Sequence, residues 1–345
     1  MAINTAAFSP KQFEVAIAEQ DDFGTIEADG GNPYHGLDVD SVGFPSLNPN
    51  QSLDVRTGSR VLQKEDFFQD VKASVKEISV SGTATTDALD MLLENIMGEA
   101  EGSASGVYSF ASNAGVQSVG KTDSSQAGTL LSLIIISPLS NSNLAFKDCV
   151  VTSLNLSGDA GTEGGRVKFS ATFQTGTLAE DLSDAALGSG ADQGVDTAFG
   201  ADENYFMSSW SDTSYRKMYG VDDLVMSSFS LTLENPATFS GLSSTGYEIA
   251  SRAGEFSATL DATVKYDVNT EPLIASFNNQ TQEGATASQA TILNNDASLT
   301  DGAFGISIPK SVLTNVAFNE GDIMMLDVSV KAVGDATNAL VEVAC

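Results

Sequence analysis

The chain has 345 residues, 41% of them apolar, enough for two ordinary domains with a sizeable core in each. Sixteen Lys and Arg stand against 46 Asp and Glu, a formal net charge of −30. A chain of that sign cannot grip nucleic acid by neutralising phosphates, and its longest apolar run, 130–136, is broken by Ser132 and far short of the ~20 residues of a membrane helix. Adaptation to a salty habitat, or plain solubility, explains the charge as well as a functional use does.

Residues 1–60 read as an extended arm, broken by Pro33, Pro45 and Pro49 and punctuated by Gly24, Gly30, Gly31 and Gly36. The alternation of Phe13-Glu-Val-Ala-Ile-Ala18 predicts one strand there. An arm with so little periodicity is costly to order alone and is expected to lie on a neighbouring subunit. The first residues have neither a basic start nor a continuous apolar run, so no secretory signal is expected and the chain reads as a soluble cytoplasmic product.

A strand is predicted over 71–85, followed by a helix with Thr86 as N-cap, Asp87 and Asp90 in its first turn, and Gly98 at its close. Leu89, Leu92, Leu93 and Ile96 make an apolar stripe on that helix, which is core packing. Residues 99–128, rich in Gly, Ser and Ala, read as a mobile loop holding a weak hairpin. Strands follow at about 130–137, 145–156 and 166–175, and the Gly-, Ala- and Asp-rich stretch 178–201 reads as a linker.

The second half predicts strands at 224–233 and 255–266, a short helix at 272–277 with Pro272 in its first turn, and a polar loop over 278–298. Strands at 304–308, 312–318 and 323–333 close the chain. Two segments share a pattern. Val151-Thr-Ser-Leu-Asn-Leu156 leads to Phe169-Ser-Ala-Thr172, and Met226-Ser-Ser-Phe-Ser-Leu231 leads to Phe256-Ser-Ala-Thr259. The expectation is a mainly β protein: two tandem β-sandwich or barrel domains, each with one short flanking helix, plus the arm. The boundaries read 1–60 for the arm, 61–178 for the first domain, 179–223 for a linker and aromatic segment, and 224–345 for the second domain.

Residue types for chemistry are scarce. His35 is the single histidine and sits in the Pro/Gly-rich arm, with no Gly-x-Ser-x-Gly elbow anywhere to supply a nucleophile. Cys149 reads as a small buried hydrophobe and Cys345 as an unpaired terminal thiol; one His and two separated Cys do not make a zinc site. The Asp38-Val-Asp40-Ser-Val-Gly43 run has Val42 and Pro49 where a calcium loop needs ligands. Adjacent carboxylates such as Asp21-Asp22 and Asp222-Asp223 are expected by chance among so many acids. Tyr205, Phe206, Trp210, Tyr215 and Tyr219 form an aromatic cluster that fits packing between domains or subunits better than stacking of sugars or bases. No catalytic centre, cofactor or metal is expected.

Three stretches carry a resemblance: Phe13-Glu-Val-Ala-Ile-Ala-Glu-Gln-Asp-Asp-Phe-Gly24, the segment 60–98 with its Val-Ser-Gly-Thr-Ala strand end and Asp-Ala-Leu-Asp-Met-Leu-Leu helix, and Ser227-Ser-Phe-Ser-Leu-Thr-Leu-Glu-Asn235 followed by Gly254-Glu-Phe-Ser-Ala-Thr-Leu260. With them the chain resembles a bacteriophage tail tube protein, the major tail protein of a long-tailed phage. The resemblance implies a structural virion protein and no enzyme. Its partners would be copies of itself, in trimeric pseudo-hexameric rings or alternatively hexameric ones, stacked into a tube, together with the tail terminator, distal tail and tape measure proteins. The arm and the 99–128 loop would make the contacts between rings. The protein would sit in the virion tail after assembly in the host cytoplasm, away from any membrane, and double-stranded DNA would pass through during ejection without specific binding. DNA carries one negative charge per ≈1.7 Å of axis, so an acidic lumen would keep it centred by repulsion, screened beyond about 8–10 Å. Glu77, Asp87, Asp261 and Asp267 are the candidates to face that lumen, against ordinary solvent exposure for each. The rival readings are a minor tail or decoration protein, a β-sandwich surface adhesin, which needs an export signal, and a hydrolase built on paired carboxylates.

Overall fold

Alternation with a period of two dominates this sequence, and strands follow from it. Val167–Thr175 alternates buried and open side chains without a break, and Ser257–Lys265 does the same. The computed structural model describes residues 9–20, 22–26, 34–45, 50–53, 61, 67–70, 74–98, 106–111, 117–120, 130–138, 143–162, 165–177, 180–182, 195–196, 216–244, 246–280, 291–294, 299, 303–334 and 338–345.

In chain order the first strands are β1 (Glu14–Glu19), β2 (Tyr34–Gly36), β3 (Val39–Gly43), β4 (Asn50–Leu53), β5 (Phe67–Asp70) and β6 (Lys76–Thr83), followed by helix α1 (Thr86–Met97). Then come β7 (Val107–Ala111), β8 (Gln117–Gly120), β9 (Leu131–Ile136), β10 (Asn143–Asp159), β11 (Val167–Thr175), β12 (Glu180–Leu182) and β13 (Val195–Asp196). The remainder are β14 (Met226–Glu234), β15 (Thr238–Leu242), β16 (Tyr247–Arg252), β17 (Ser257–Lys265), helix α2 (Glu271–Asn278), β18 (Thr291–Asn294), β19 (Gly305–Ile308), β20 (Ser311–Asn319), β21 (Met325–Ala332) and β22 (Ala339–Ala344). The protein is mainly β.

Eight strands form one antiparallel sheet in the order β3-β6-β11-β10-β14-β17-β21-β20. Read along the chain, that sheet is one plan used twice. The first unit is strand, strand, helix, strand, strand (β3, β6, α1, β10, β11), and the second is the same (β14, β17, α2, β20, β21). In each unit the strands lie in space as first, second, fourth, third. In each, a hairpin interrupts the step from first strand to second: β4–β5 in one and β15–β16 in the other. Each helix packs on the third strand of its unit, α1 on β10 and α2 on β20.

The register carries the repeat down to single residues. β10 shifts register between Val151 and Ser153 against β11, and β20 between Leu313 and Asn315 against β21. β3 shifts between Val39 and Ser41 against β6, and β14 between Met226 and Ser228 against β17. Thr152 is the extra residue in β10 and donates its hydroxyl to the Thr172 carbonyl at 3.3 Å; Thr314, in the same place in β20, donates to the Ser329 carbonyl at 3.2 Å. The segments 150–176 and 225–267, which share letters, are therefore neighbours rather than counterparts: β10 pairs with β14, and the counterpart of β10–β11 is β20–β21.

One face of the sheet is buried. Leu89, Leu92, Leu93 and Ile96 of α1, Leu154, Leu156, Phe169 and Phe173 of the first unit, and Leu231, Leu260, Leu273 and Val328 of the second belong to a single core. A second sheet, β18-β19-β22-β7, covers that face, with Phe304 against Phe229 (ring centroids 5.6 Å apart) and Phe110 stacked on Phe256 at 3.8 Å. The first seven residues of β10 leave the eight-stranded sheet and pair with β9 and β12, turning at Asp148, whose φ of +53° lies in the left-handed region that Asp tolerates. β9 in turn pairs with β1, and β1 with β2, so the N-terminal strand lies inside this chain's own sheet with Ala16, Ile17 and Ala18 buried.

Some elements differ from the sequence expectation. The cap of α1 is Thr85, one residue earlier than Thr86, with its hydroxyl oxygen accepting from the Ala88 N–H at 3.4 Å. Gly98 does close the helix, at φ +104°, donating to Glu94 O at 2.8 Å. No hairpin joins β7 and β8; β7 pairs with β22 and β8 with β16. In the expected linker, β12 pairs with β10 and β13 with β2, and in the expected polar loop β18 pairs with β19. The rest of 178–201 and of 281–298 lies outside the described residues. Among the described residues no helix is long and apolar enough to cross a membrane.

Candidate functional site

The opposite face of the eight-stranded sheet is an organised polar surface. It follows from the same alternation: with Leu, Phe, Val and Ala turned to the core, every second residue turns out, and those are nearly all Ser, Thr, Asn, Gln, Asp, Glu or Lys. On β17, for example, Thr259, Asp261, Thr263 and Lys265 turn out while Leu260, Ala262 and Val264 turn in.

Polar groups on this face are matched across strands. Asn155 donates to the hydroxyls of Ser230 (2.8 Å) and Thr232 (2.9 Å), across the junction between the two units. Gln174 donates to Glu77 at 3.3 Å, and Ser41 and Ser81 share a hydrogen bond of 2.8 Å. Asp327 accepts from Thr263 at 2.8 Å and from Asn319 at 3.0 and 3.1 Å, and Asp261 accepts from Ser329. These last residues line a shallow depression of about 340 Å³ with Ser228 and Ser230 on its far side.

Acids outnumber bases here. Glu77, Asp159, Glu234, Asp261 and Asp327 turn out against Lys168, Lys265 and Lys331, and each lysine has a carboxylate beside it. Lys168 lies 3.0 Å from Asp40, Lys265 3.6 Å from Asp267, and Lys331 3.7 Å from Glu255. Arg166, the residue before β11, falls on the same polar step as Lys168 and is half-buried, so the acids outnumber the bases by five to four. A phosphate approaching such a lysine meets a paired carboxylate well inside the screening length, so it gains little from the cation.

Two of the four acidic candidates, Glu77 and Asp261, lie on this face. Asp87 is in the first turn of α1, on the covered side of the sheet, 3.9 Å from the imidazole of His35, which itself sits on β2 opposite Ile17. Asp267 is in the turn before α2, where it accepts the Asn269 N–H at 2.9 Å and the Thr270 N–H at 3.3 Å. Reading by residue type alone missed Asp159, Glu234 and Asp327. The signal that finds them is phase: each falls on the polar step of an alternating strand.

The two thiols and Tyr219 are packed inside the fold. Cys149 is buried, and burial beside Asp148 pushes its thiol well above the ordinary range; Cys345 is buried too and donates to Asp90 at 3.1 Å, and neither forms a disulfide. Tyr219 is buried and donates to Ser311 O at 2.8 Å, while residues 205, 206, 210 and 215 of the aromatic cluster lie outside the described residues. Among the described residues no three His, Cys, Asp or Glu side chains come together as a metal site.

A family model described as phage tail tube protein matches residues 13–332, a span that takes in both units of the repeat. No curated protein matches the chain.

Proposed function

We propose, from the premise that the chain belongs to the phage tail tube protein family, that three copies close into a ring whose bore is the polar face of the eight-stranded sheet, and that rings stack into the DNA conduit of the tail. The protein is a structural component of the tail that assembles with itself and with other tail proteins. The observation that carries the finer reading is the sheet itself, built from two like units with one face buried and the other polar.

Strand spacing gives the arithmetic. At about 4.8 Å per strand, three copies of this sheet make a cylinder roughly 37 Å across its backbones, before strand tilt widens it. Side chains on both walls take about 10 Å of that, leaving roughly 27 Å clear, which is more than a DNA duplex needs. On the same arithmetic two copies leave about 14 Å, and six make a cylinder of about 73 Å, far wider than one duplex. Two units per copy then give the ring a pseudo-sixfold wall.

The face suits passage without capture. Its excess of carboxylates repels phosphate, its lysines are matched by Asp40, Asp267 and Glu255, and its amides donate within the sheet. Glu77 and Asp261 belong to this lining, with Asp159, Glu234 and Asp327 beside them; Asp267 sits at its border, in the turn before α2, paired with Lys265, and Asp87 lies on the covered side of the sheet. No step of bond chemistry is involved.

Electron microscopy of the assembled protein tests this. Rings of three copies are expected, with gold tethered at Ser230→Cys appearing inside the bore. Gold on the outer wall, or rings of another copy number, sinks the reading.

A further inference from the structure

Inside one chain the two units meet where β10 runs antiparallel to β14, with Leu156 opposite Leu231, Ser157 opposite Ser230 and Asp159 opposite Ser228. Leu156 and Leu231 are each 0% exposed. Among the described residues the sheet then ends on β3 at one side and β20 at the other. β3 is the first strand of its unit, as β14 is, and β20 the third of its unit, as β10 is. The two free edges are thus the same pair of strands that meet at the internal junction.

The shared bulges set the correspondence residue by residue. Counting from the bulges, Leu156 corresponds to Phe318 and Ser157 to Asn319, while Ser228 corresponds to Ser41, Ser230 to Gly43 and Leu231 to Phe44. The positions that hold the buried Leu–Leu contact inside the chain therefore hold phenylalanines at its two edges. Both are open to solvent, Phe318 at 54% and Phe44 at 43%. Each already leans on one aromatic neighbour: Phe318 edge-on to Tyr266 at 5.4 Å, and Phe44 edge-on to Phe13 at 4.9 Å. Two large apolar side chains standing open at matching edge positions are costly to leave in water, and an open edge strand is itself a pairing template.

We propose that β20 of one copy pairs antiparallel with β3 of a second copy in the register of β10–β14, so that Phe318 packs against Phe44 of that copy and Asn319 lies opposite its Gly43. The occupant is a second copy of this chain because the internal junction is a covered example of the same contact. Strand direction agrees: eight alternating strands leave β3 and β20 running oppositely, so every seam is antiparallel. Phe13, Phe44, Phe318 and Tyr266 then form one aromatic cluster across the seam. The ladder stops at Pro45, which has no N–H to donate. This docking deepens the ring reading and rests on it.

A cross-link tests it. In the full chain carrying Phe44→Cys and Phe318→Cys, the two edges are about 34 Å apart within one copy, so a disulfide forms only between copies. Mild oxidation is expected to give a non-reducing ladder that ends at three copies. Phe44→Cys with Ala317→Cys, one residue out of register and on the other face, is expected to give none. A ladder from the second pair, or none from the first while the wild-type chain forms rings, overturns the docking and leaves the ring reading standing. Should the cysteine chain fail to assemble, Phe318→Asp alone decides: its exposed site leaves folding intact by thermal melt, and a drop in solution mass to single chains is expected. Rings that persist in that variant overturn the docking. A wild-type chain that forms no ring under any condition removes the ring reading and the docking with it.

Discussion

The first unit presses β3 onto β6 at Gly82, where an added Cβ would come within 1.9 Å of Asp38 O; the second makes the same crossing, β14 over β17, with Val264 in that place. Thr83 N–H donates to Asp38 O at 2.9 Å, so β3 is held tight against its neighbour. The helices differ as well. α1 buries most of one side and is capped by Thr85, whereas α2 buries Leu273 and has no side-chain cap. The bulges differ in one place: Thr152, Thr314 and Ser227 each donate a hydroxyl to a carbonyl of the partner strand, but the fourth bulge residue is Asp40, which turns instead to Lys168. One topology is thus held by two sets of side chains, and the plan tolerates wide change in letters as long as phase and bulge position are kept.

The largest expected effect comes from parting the units. Arg252 on β16, in the second unit, is buried and donates to Ile96 O (3.1 Å), Asn95 Oδ1 (2.9 Å) and Val151 O (3.0 Å), all in the first. Burial pushes its guanidinium down to about 10, so it stays charged at neutral pH and faces the negative end of the α1 dipole. Arg252→Ala removes three buried hydrogen bonds from a charged donor, although Ile96 O keeps the Asn235 amide and Asn95 Oδ1 keeps the Val151 N–H, and should cost about 3 kcal/mol in denaturant unfolding.

Gly82→Ala should cost about 1–3 kcal/mol through the forced shift of β3, while Val264→Ala at the matching place loses only packing; urea midpoints of the two chains check the contrast. Thr85→Ala should cost about 1 kcal/mol. Thr152→Ala and Thr314→Ala should each cost about 0.5–1.5 kcal/mol, the buried Thr152 more than the exposed Thr314. A Thr314→Ala chain as stable as wild type would mean that the bulge hydroxyl matters in one unit only.

The smallest change in stability, under about 1 kcal/mol each, is expected from Asp40→Asn and Asp267→Asn, which remove exposed ion pairs. Their effect on DNA should be larger. Combined with Glu255→Gln they release three lysines, and a short duplex should then bind the full chain with a salt slope near −2.7, about a 40-fold loss between 50 and 200 mM salt. Fluorescence anisotropy reads it. An equal gain after Asp223→Asn, Asp322→Asn and Glu320→Gln, none of which frees a lysine, would show that net charge alone matters.

Much of this was open to reading from the chain. Alternation located β6, β10, β11, β14, β17 and β21, and the stripe Leu89, Leu92, Leu93, Ile96 located α1. Partners were not readable, because alternation says which face a residue takes and nothing about which strand lies beside it. β7 and β8 are close in sequence yet pair with β22 and β16, and the last strand, Ala339–Ala344, went unread. The letters Phe-Ser-Ala-Thr misled, since Phe169 lies in the fourth strand of one unit and Phe256 before the second strand of the other. On the polar face, Glu77 and Asp261 were found by type and position, but the pairing of each lysine depends on strands far apart in the chain.

If copies join edge to edge as proposed, each new joint repeats the strand register of the joint inside the chain, with Phe318 and Phe44 in place of Leu156 and Leu231. Each arriving copy meets the same invitation as the one before, and only the bend of the wall decides when the last edge reaches the first. Were copies to join in this way, a change that flattened the bend by a few degrees would turn a closed washer into an open spiral.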